Sequence, residues 1–412
     1  MIERLFPARL GIGFRWLVTS SWAADLGDGF MVAAGPLLVA SQTHDASLVA
    51  LALLLQRLPW LLFGLLGGAV TDRVDRGRLT AGVELIRVTV LAVLVAAVLA
   101  HWVSIAVVLT ALFLLGTAEV FSQTAAGSML PSIVDHDDLI LGNSRILTGR
   151  VTFNQLVGPA VGSVLFAGGM EWPFIGQAIL VLAGAVVILR IKLPPRPPVV
   201  EATHLWSEVV EGCRWTWHHA GVRTLVLTIF IFNITFGAAW AVLVLYAEER
   251  LHLGAVGFGL LTTAMAAGGV AGNLGYGWLI RRVSLGNIMR VGLIIETATH
   301  LSLALTTVPV IAMGIMVVFG AHAFIWGSTS VTVRQQAVPE ALQGRVSSVY
   351  SLGTYGGLVF GAAVSGPIAS QFGVTGPFWF AFGGSAVFLV LMWRQLSHIA
   401  HEEARPLATP TA

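Results

Sequence analysis

Residues 67–78 read Gly67-Gly68-Ala69-Val70-Thr71-Asp72-Arg73-Val74-Asp75-Arg76-Gly77-Arg78, wedged between two long apolar stretches. Five charges fall in the seven positions from Asp72 to Arg78. Ionised side chains at that density cannot be held in hydrocarbon, so the run reads as a tight aqueous loop joining two membrane helices. In both directions from it, apolar windows of about 20 residues, each long enough to cross roughly 30 Å of bilayer core, recur with only short polar breaks.

Composition points the same way. Of 412 residues, 56% are hydrophobic and 11% charged, against about 25% charged in soluble domains, and the mean hydropathy is +0.84. The pattern predicts an all-α integral membrane protein with twelve transmembrane helices, the first near 14–40 and the last near 375–395. Little chain is left for a soluble catalytic domain. An even number of spans puts both termini on one side. Nineteen of the 23 Lys and Arg residues fall in the tails and the loops of that side, which marks it as cytoplasmic. The first span is too long for a signal peptide and lacks a small-residue cleavage site, so it reads as a retained helix of a multi-pass protein in the inner (plasma) membrane. The basic residues follow topology and form no patch, so nucleic acid is not an expected partner. The single cysteine, Cys213, excludes an internal disulfide.

The longest break, 192–222, opens Pro194-Pro195-Arg196-Pro197-Pro198, a run that forbids helix and favours an extended spacer. Leu205, Val209, Val210, Cys213 and Trp217 then recur at helical spacing among Glu208, Glu211, Arg214 and His218, which predicts an interfacial amphipathic helix. The expected organisation is a six-helix bundle over 1–191, a cytoplasmic linker over 192–222, a second bundle over 223–395 and a cytoplasmic tail over 396–412. Pro131, Gly158 and Pro159 recur 208 residues later as Pro339, Gly366 and Pro367. The charged loop has an echo without acids, Arg281-Arg282-Val283-Ser284-Leu285-Gly286. Repetition between halves is a transporter signature, with substrate expected near the midplane.

The run from Gly68 to Arg78 resembles the loop signature of the major facilitator superfamily between its second and third helices, and the resemblance spans essentially the whole chain. It implies two pseudo-symmetric six-helix halves that rock in alternating access. It also implies a cytoplasmic latch, in which Gly68 permits close helix packing and Asp72 faces the positive end of the eleventh helix, beginning near Arg345. Arg73, Arg76, Gly77 and Arg78 complete the motif, with Glu84 and Arg87 expected beside it. Gly158-Pro159-Ala160-Val161-Gly162 resembles the glycine-proline motif of antiporters in this superfamily. Proline removes a helical hydrogen bond, while Gly158 and Gly162 allow close apposition. Export by exchange is what that motif implies. The arginine that proton-coupled exporters often carry in the fourth helix is missing, and Glu119 is the only charge there. Coupling centred on carboxylates is therefore expected. Asp28, in Leu26-Gly27-Asp28-Gly29, together with Pro339 to Arg345, looks most like the macrolide, tetracycline and siderophore exporters.

An ionisable group at mid-bilayer is costly unless paired or wet, so each is a functional candidate. Asp25 and Asp28 lie three apart on one face of the first span and are the leading proton-binding carboxylates, with Glu119 next. Arg57, in the outer half of the second span, needs a carboxylate, and Asp28 is its expected partner, as a switch or as a fixed pair. Asn154, Gln155, Asn233, Trp240, Glu296 and Trp326 are candidates for a mostly apolar substrate cavity. His300 and His322 read as structural residues.

These readings predict a secondary exporter of amphipathic drugs or antibiotics, driven by proton antiport and working as a monomer, with no cofactor beyond the proton gradient. Siderophore export or proton-coupled nutrient uptake on the same fold are the alternatives. A membrane enzyme would need clustered ligands or nucleophiles, and the sequence has no HExxH, no paired cysteines and no phosphate loop. Asp135-His136-Asp137-Asp138 reads as helix N-terminal capping and not as a metal site.

Overall fold

The computed structural model describes residues 8–191 and 205–393. The proline run at 194–198, the basic residues Arg4, Lys192, Arg196, Arg394 and Arg405, and the tail 396–412 lie outside them, as does the side chain of Asp72. Among the described residues every regular element is helical. The long elements are α1 (Gly11–Ala40), α2 (Ala46–Arg73), α3 (Arg76–Leu99), α4 (Ile105–Met129) and α5 (His136–Gly168). After these come α6 (Trp172–Ile188), α7 (Leu205–His218), α8 (Ala220–Ala241), α9 (Ala255–Leu279), α10 (Leu285–Leu305), α11 (Pro309–Ala337), α12 (Gln343–Phe372) and α13 (Gly376–Met392).

Ten of the described helices are long and apolar enough to cross a membrane, and α6 and α13 are apolar helices of 17 residues. Their ends are set by local chemistry. The Asp45 side chain accepts from Ser47 N at 2.8 Å to start α2, and Ser104 accepts from Val107 N at 3.4 Å to start α4. Such caps satisfy amides that a first turn leaves unpaired. The expected caps of α5 are a correction: neither Asp135 nor Asp138 makes a side-chain cap bond, and Asp138 pairs instead with Arg9 at 3.0 Å.

The chain divides into two compact units, Met1–Ala202 with Ala247–Thr263, and Thr203–Tyr246 with Ala264–Ala412. In the first unit, α1 and α5 meet backbone to backbone, because a Cβ on Gly158 would stand 2.5 Å from the Gly29 Cα, and one on Gly162 2.6 Å from the Phe30 oxygen. Arg150–Val157 within α5 is π-helical. Its cause is local: Pro159 has no N–H to return to the Gln155 carbonyl, and a wider turn precedes it.

In the second unit, α8 and α12 touch in the same manner, with the Gly237 Cβ position 2.7 Å from the Leu358 oxygen and that of Gly361 2.3 Å from the Ile234 oxygen. α7 docks on the start of α12 through Val209, Gly212 and Thr216, all buried, leaving Val210, Cys213 and Trp217 exposed. The apolar face predicted for the connector is thus split between protein contact and an outward stripe.

Candidate functional site

The helix-crossing at Gly29 and Gly158 brings α1, α3, α4, α5 and α6 around one buried polar centre in the first unit. Asp28 is 8% exposed and accepts from Arg87 Nη2 on α3 and from Gln177 Nε2 on α6, the latter at 3.1 Å. Arg87 is 2% exposed and also holds Glu84 at 2.9 Å through Nη1. Ser122 of α4 donates to the other oxygen of Glu84. The polar side chains are there because α3 buries Thr80, Glu84, Arg87, Leu91 and Leu94 along one helical face.

The second branch of the centre runs through α5. Arg150 donates from Nη2 to Gln123 Oε1 at 2.6 Å and its Nε lies 3.9 Å from Asp25 Oδ1, while Gln123 donates to Glu119 at 2.8 Å. Asp28, Gln56, Arg57, Arg87, Glu119, Asn154 and Gln177 line a cavity of about 60 Å³. That is on the order of two waters' share of liquid volume, far below the roughly 300 Å³ of a drug-sized site. The cavity suits protons and water.

Several expectations are corrected here. Asp28 takes Arg87 and not Arg57 as its partner; Arg57 lines the same cavity and forms no ion pair among the described residues. Glu84 and Arg87 belong to this buried centre and not to the loop after α2. Sequence reading missed Arg87, Ser122, Gln123, Arg150 and Gln177 as members of the site. The signal for Arg87 was its helical spacing with Leu91 and Leu94.

Within the first unit the signature loop is held by its own contacts. Gly67, and not Gly68, makes the close approach, its Cβ position lying 3.2 Å from Thr124 Oγ1 while that of Gly68 meets open space. Asp75 caps α3 by accepting from Arg78 N at 2.8 Å. Arg76 is buried and donates to the Ser128 carbonyl and, at 3.1 Å, to Ser132 Oγ. Arg73 and Arg78 are exposed. Arg345 pairs with Glu211 of α7 at 2.8 Å.

Of the six cavity candidates, Asn154 lines the small cavity and Gln155 buries an unpartnered Oε1 beside it on the π turn. Asn233, Glu296 and Trp326 are packed inside the second unit, at 5%, 1% and 2% exposure. Asn233 donates to the Ile229 carbonyl at 2.7 Å. Trp240 stacks on Phe236 at 4.6 Å between ring centres. No group of three or more His, Cys, Asp or Glu side chains able to hold a metal occurs among the described residues.

Residues 4–409 match the model of a family described as transmembrane secretion effectors, within the major facilitator superfamily. The chain is 27% identical over 383 residues to the multidrug efflux pump Tap of Mycolicibacterium fortuitum, covering 88% of this chain and 90% of that one. It is 26% identical over 378 residues to the enterobactin exporter EntS of Citrobacter koseri, covering 87% and 85%. Among solved structures, a point mutant of the nucleoside transporter NupG superposes with a TM-score of 0.75 over 93% of this chain and 100% of that one, at 13% identity, a likeness of fold.

Proposed function

This chain belongs to the transmembrane secretion effector family of the major facilitator superfamily, and from that premise we propose that it exports amphipathic small molecules in exchange for protons. It is a membrane transporter and not an enzyme. In this reading ten long helices together with α6 and α13 make twelve spans, both termini are cytoplasmic, access alternates between the two sides of the membrane, and a monomer suffices.

The observation that carries the proton assignment is one of charge balance. Asp28 and Glu119 with Arg57 and Arg87 line a cavity too small for a drug, Glu84 pairs with the same Arg87, and Asp25 lies 3.9 Å from the half-exposed Arg150, four carboxyls to three guanidiniums. Guanidiniums stay charged in proteins, so neutrality leaves one carboxyl with a proton. Arg87 bonded to both Asp28 and Glu84 is a two-state element: a proton arriving on Asp28 frees Arg87 toward Glu84. The backbone contact of Gly29 with Gly158 transmits that change to the π turn of α5, whose irregular winding is a common mark of functional positions. Asp72, Arg73, Arg76, Gly77 and Arg78 are the cytoplasmic latch in this reading, with Arg345 on the connector side.

The test is efflux of ethidium and of a panel of antibiotics from proteoliposomes under an imposed proton gradient, wild type beside Asp28→Asn. Gradient-driven export by the wild type and its loss in the variant are expected. Uptake in the direction of proton flow would instead make the protein a symporter. The likeness to enterobactin exporters favours a second reading, siderophore export, and enterobactin in the same vesicles decides between the cargo classes.

A further inference from the structure

The second unit holds a polar centre that the exchange reading leaves unused. Glu296 of α10 is 1% exposed. One of its oxygens lies 2.9 Å from His300 Nε2, one turn along, and takes a 3.3 Å bond from Thr235 of α8. The other lies 3.7 Å from His322 Nε2 of α11, beyond hydrogen-bond range. Glu296 Oε2, His300 Nδ1, His322 Nε2 and the indole N–H of Trp326 are all buried without a hydrogen-bond partner. Such orphans on three residues in contact, with a fourth on the neighbouring Trp326, are unusual, since buried polar atoms are nearly always satisfied.

The surroundings are apolar. Phe232 and Phe319 stand edge-on to the His322 ring at 6.0 and 6.1 Å, and Trp326 at 6.0 Å. Gly292, one turn before Glu296, makes the room: a Cβ there would meet His322 Cε1 at 2.8 Å. The other charged residues of the packed helices are engaged elsewhere: Arg334 of α11 donates to the Ser330 carbonyl over the Tyr350 ring, and Arg290 of α10 donates to the Trp393 carbonyl. α8 contributes Thr235, its only charged residue, Arg223, being bonded to the Trp217 carbonyl, and α13 carries no titratable residue. The carboxylate is left with two imidazoles and nothing else to balance it. No drug reaches a group so enclosed, whereas a proton does.

We propose that Glu296, His300 and His322 form a second proton-binding site, separate from the Asp28 centre and within the other unit. With Glu296 ionised and one imidazole protonated the set is neutral. Transfer breaks an imidazolium N–H of His300 and forms a carboxyl O–H on Glu296; once that carboxyl turns its O–H toward His322 and the 3.7 Å gap closes, the O–H breaks and an N–H forms on that ring, so the positive charge moves between α10 and α11 with no net change. Release of that proton leaves one negative charge, and the site must be refilled. The unequal distances, 2.9 and 3.7 Å, give the two states distinct geometries. The site itself does not depend on the exchange reading; its use in transport rests on it.

Two measurements test it. The first is nitrogen NMR of histidine-labelled wild-type protein in nanodiscs, titrated from about pH 5 to 9, the range where imidazoles change charge. Signals are assigned by their loss in His300→Gln and His322→Gln. One buried ring gaining a proton, with the titration shifted in Glu296→Gln, is expected; two rings fixed in one state throughout would overturn the proposal. The second compares gradient-driven ethidium flux with ethidium exchange at equal pH in proteoliposomes. Glu296→Gln and His322→Gln should lose the first and keep the second. If Asp28→Asn loses driven flux while these variants keep it, the site has no part in coupling and that part of the proposal fails. If wild-type flux ignores the gradient, the exchange reading fails, and the NMR titration alone decides whether the site binds a proton.

Discussion

A methyl group on Gly158 would lie 2.5 Å from the Cα of Gly29, so α1 and α5 share a contact that admits no side chain, one residue from Asp28. Gly158→Ala must therefore push the helices apart or fail to fold. Overpacking of this kind costs about 1–3 kcal/mol and often more when backbone is the obstacle. Gly64→Ala is the matched control, because its Cβ position meets open space; it should be neutral or mildly stabilising, since alanine is the better helix former. Thermal unfolding of the purified protein in detergent should separate the two, and equal stability would contradict the crossing.

The Arg87 bridge makes a second prediction. Asp28→Asn leaves Arg87 with Glu84 alone, inside a centre that is 2% exposed at the arginine. Removing one partner of a buried pair typically costs about 3–5 kcal/mol. Asp28→Asn combined with Arg87→Gln should recover part of that loss in thermal stability. Driven transport should stay lost in both, because the carboxyl that exchanges protons is gone. Recovery of transport in the double variant would assign Asp28 a purely structural role.

What a sequence makes legible stops at the face of a single helix. The loop at 67–78 was legible because charge avoids hydrocarbon, and Asp25 and Asp28 because a three-residue step keeps them on one helical face. The partner of Asp28 was not, since Arg87 lies 59 residues away and Gln177 149. Spacing fixes which residues share a face, and says nothing of which helix lies opposite. The glycine-proline motif was legible as a kink, but its placement against Gly29 depends on a crossing that neither helix encodes alone. Glu296 and Trp326 read as cavity residues because a polar or aromatic side chain in a span suggests a ligand; packing among the helices of the second unit buries both.

Cys213 offers a test of topology that needs no engineering, because it is the single cysteine and is exposed on α7. With the connector cytoplasmic, a membrane-impermeant maleimide should label inside-out vesicles and spare right-side-out cells until they are made permeable. Labelling of intact cells would invert the orientation assigned from the basic residues.

The docking of α7 on α12 separates two kinds of contact at adjacent residues. Glu211 and Arg345 are 2.8 Å apart, but their side chains are 52% and 32% exposed, and such pairs contribute about 0–1 kcal/mol after solvent screening. Glu211→Gln should leave stability and α7 nearly unchanged. Gly212 is different in kind: its Cβ position lies 2.7 Å from the Arg345 oxygen and 3.0 Å from its carbon, both backbone atoms that cannot swing aside. Gly212→Val must lift α7 from the start of α12, exposing Val209 and Thr216. Hydrogen exchange of the amides in Leu205–His218 reads this directly. Fast exchange in the valine variant with wild-type protection in the glutamine variant is expected. The opposite ranking would mean that the ion pair, and not the backbone approach, holds the connector in place.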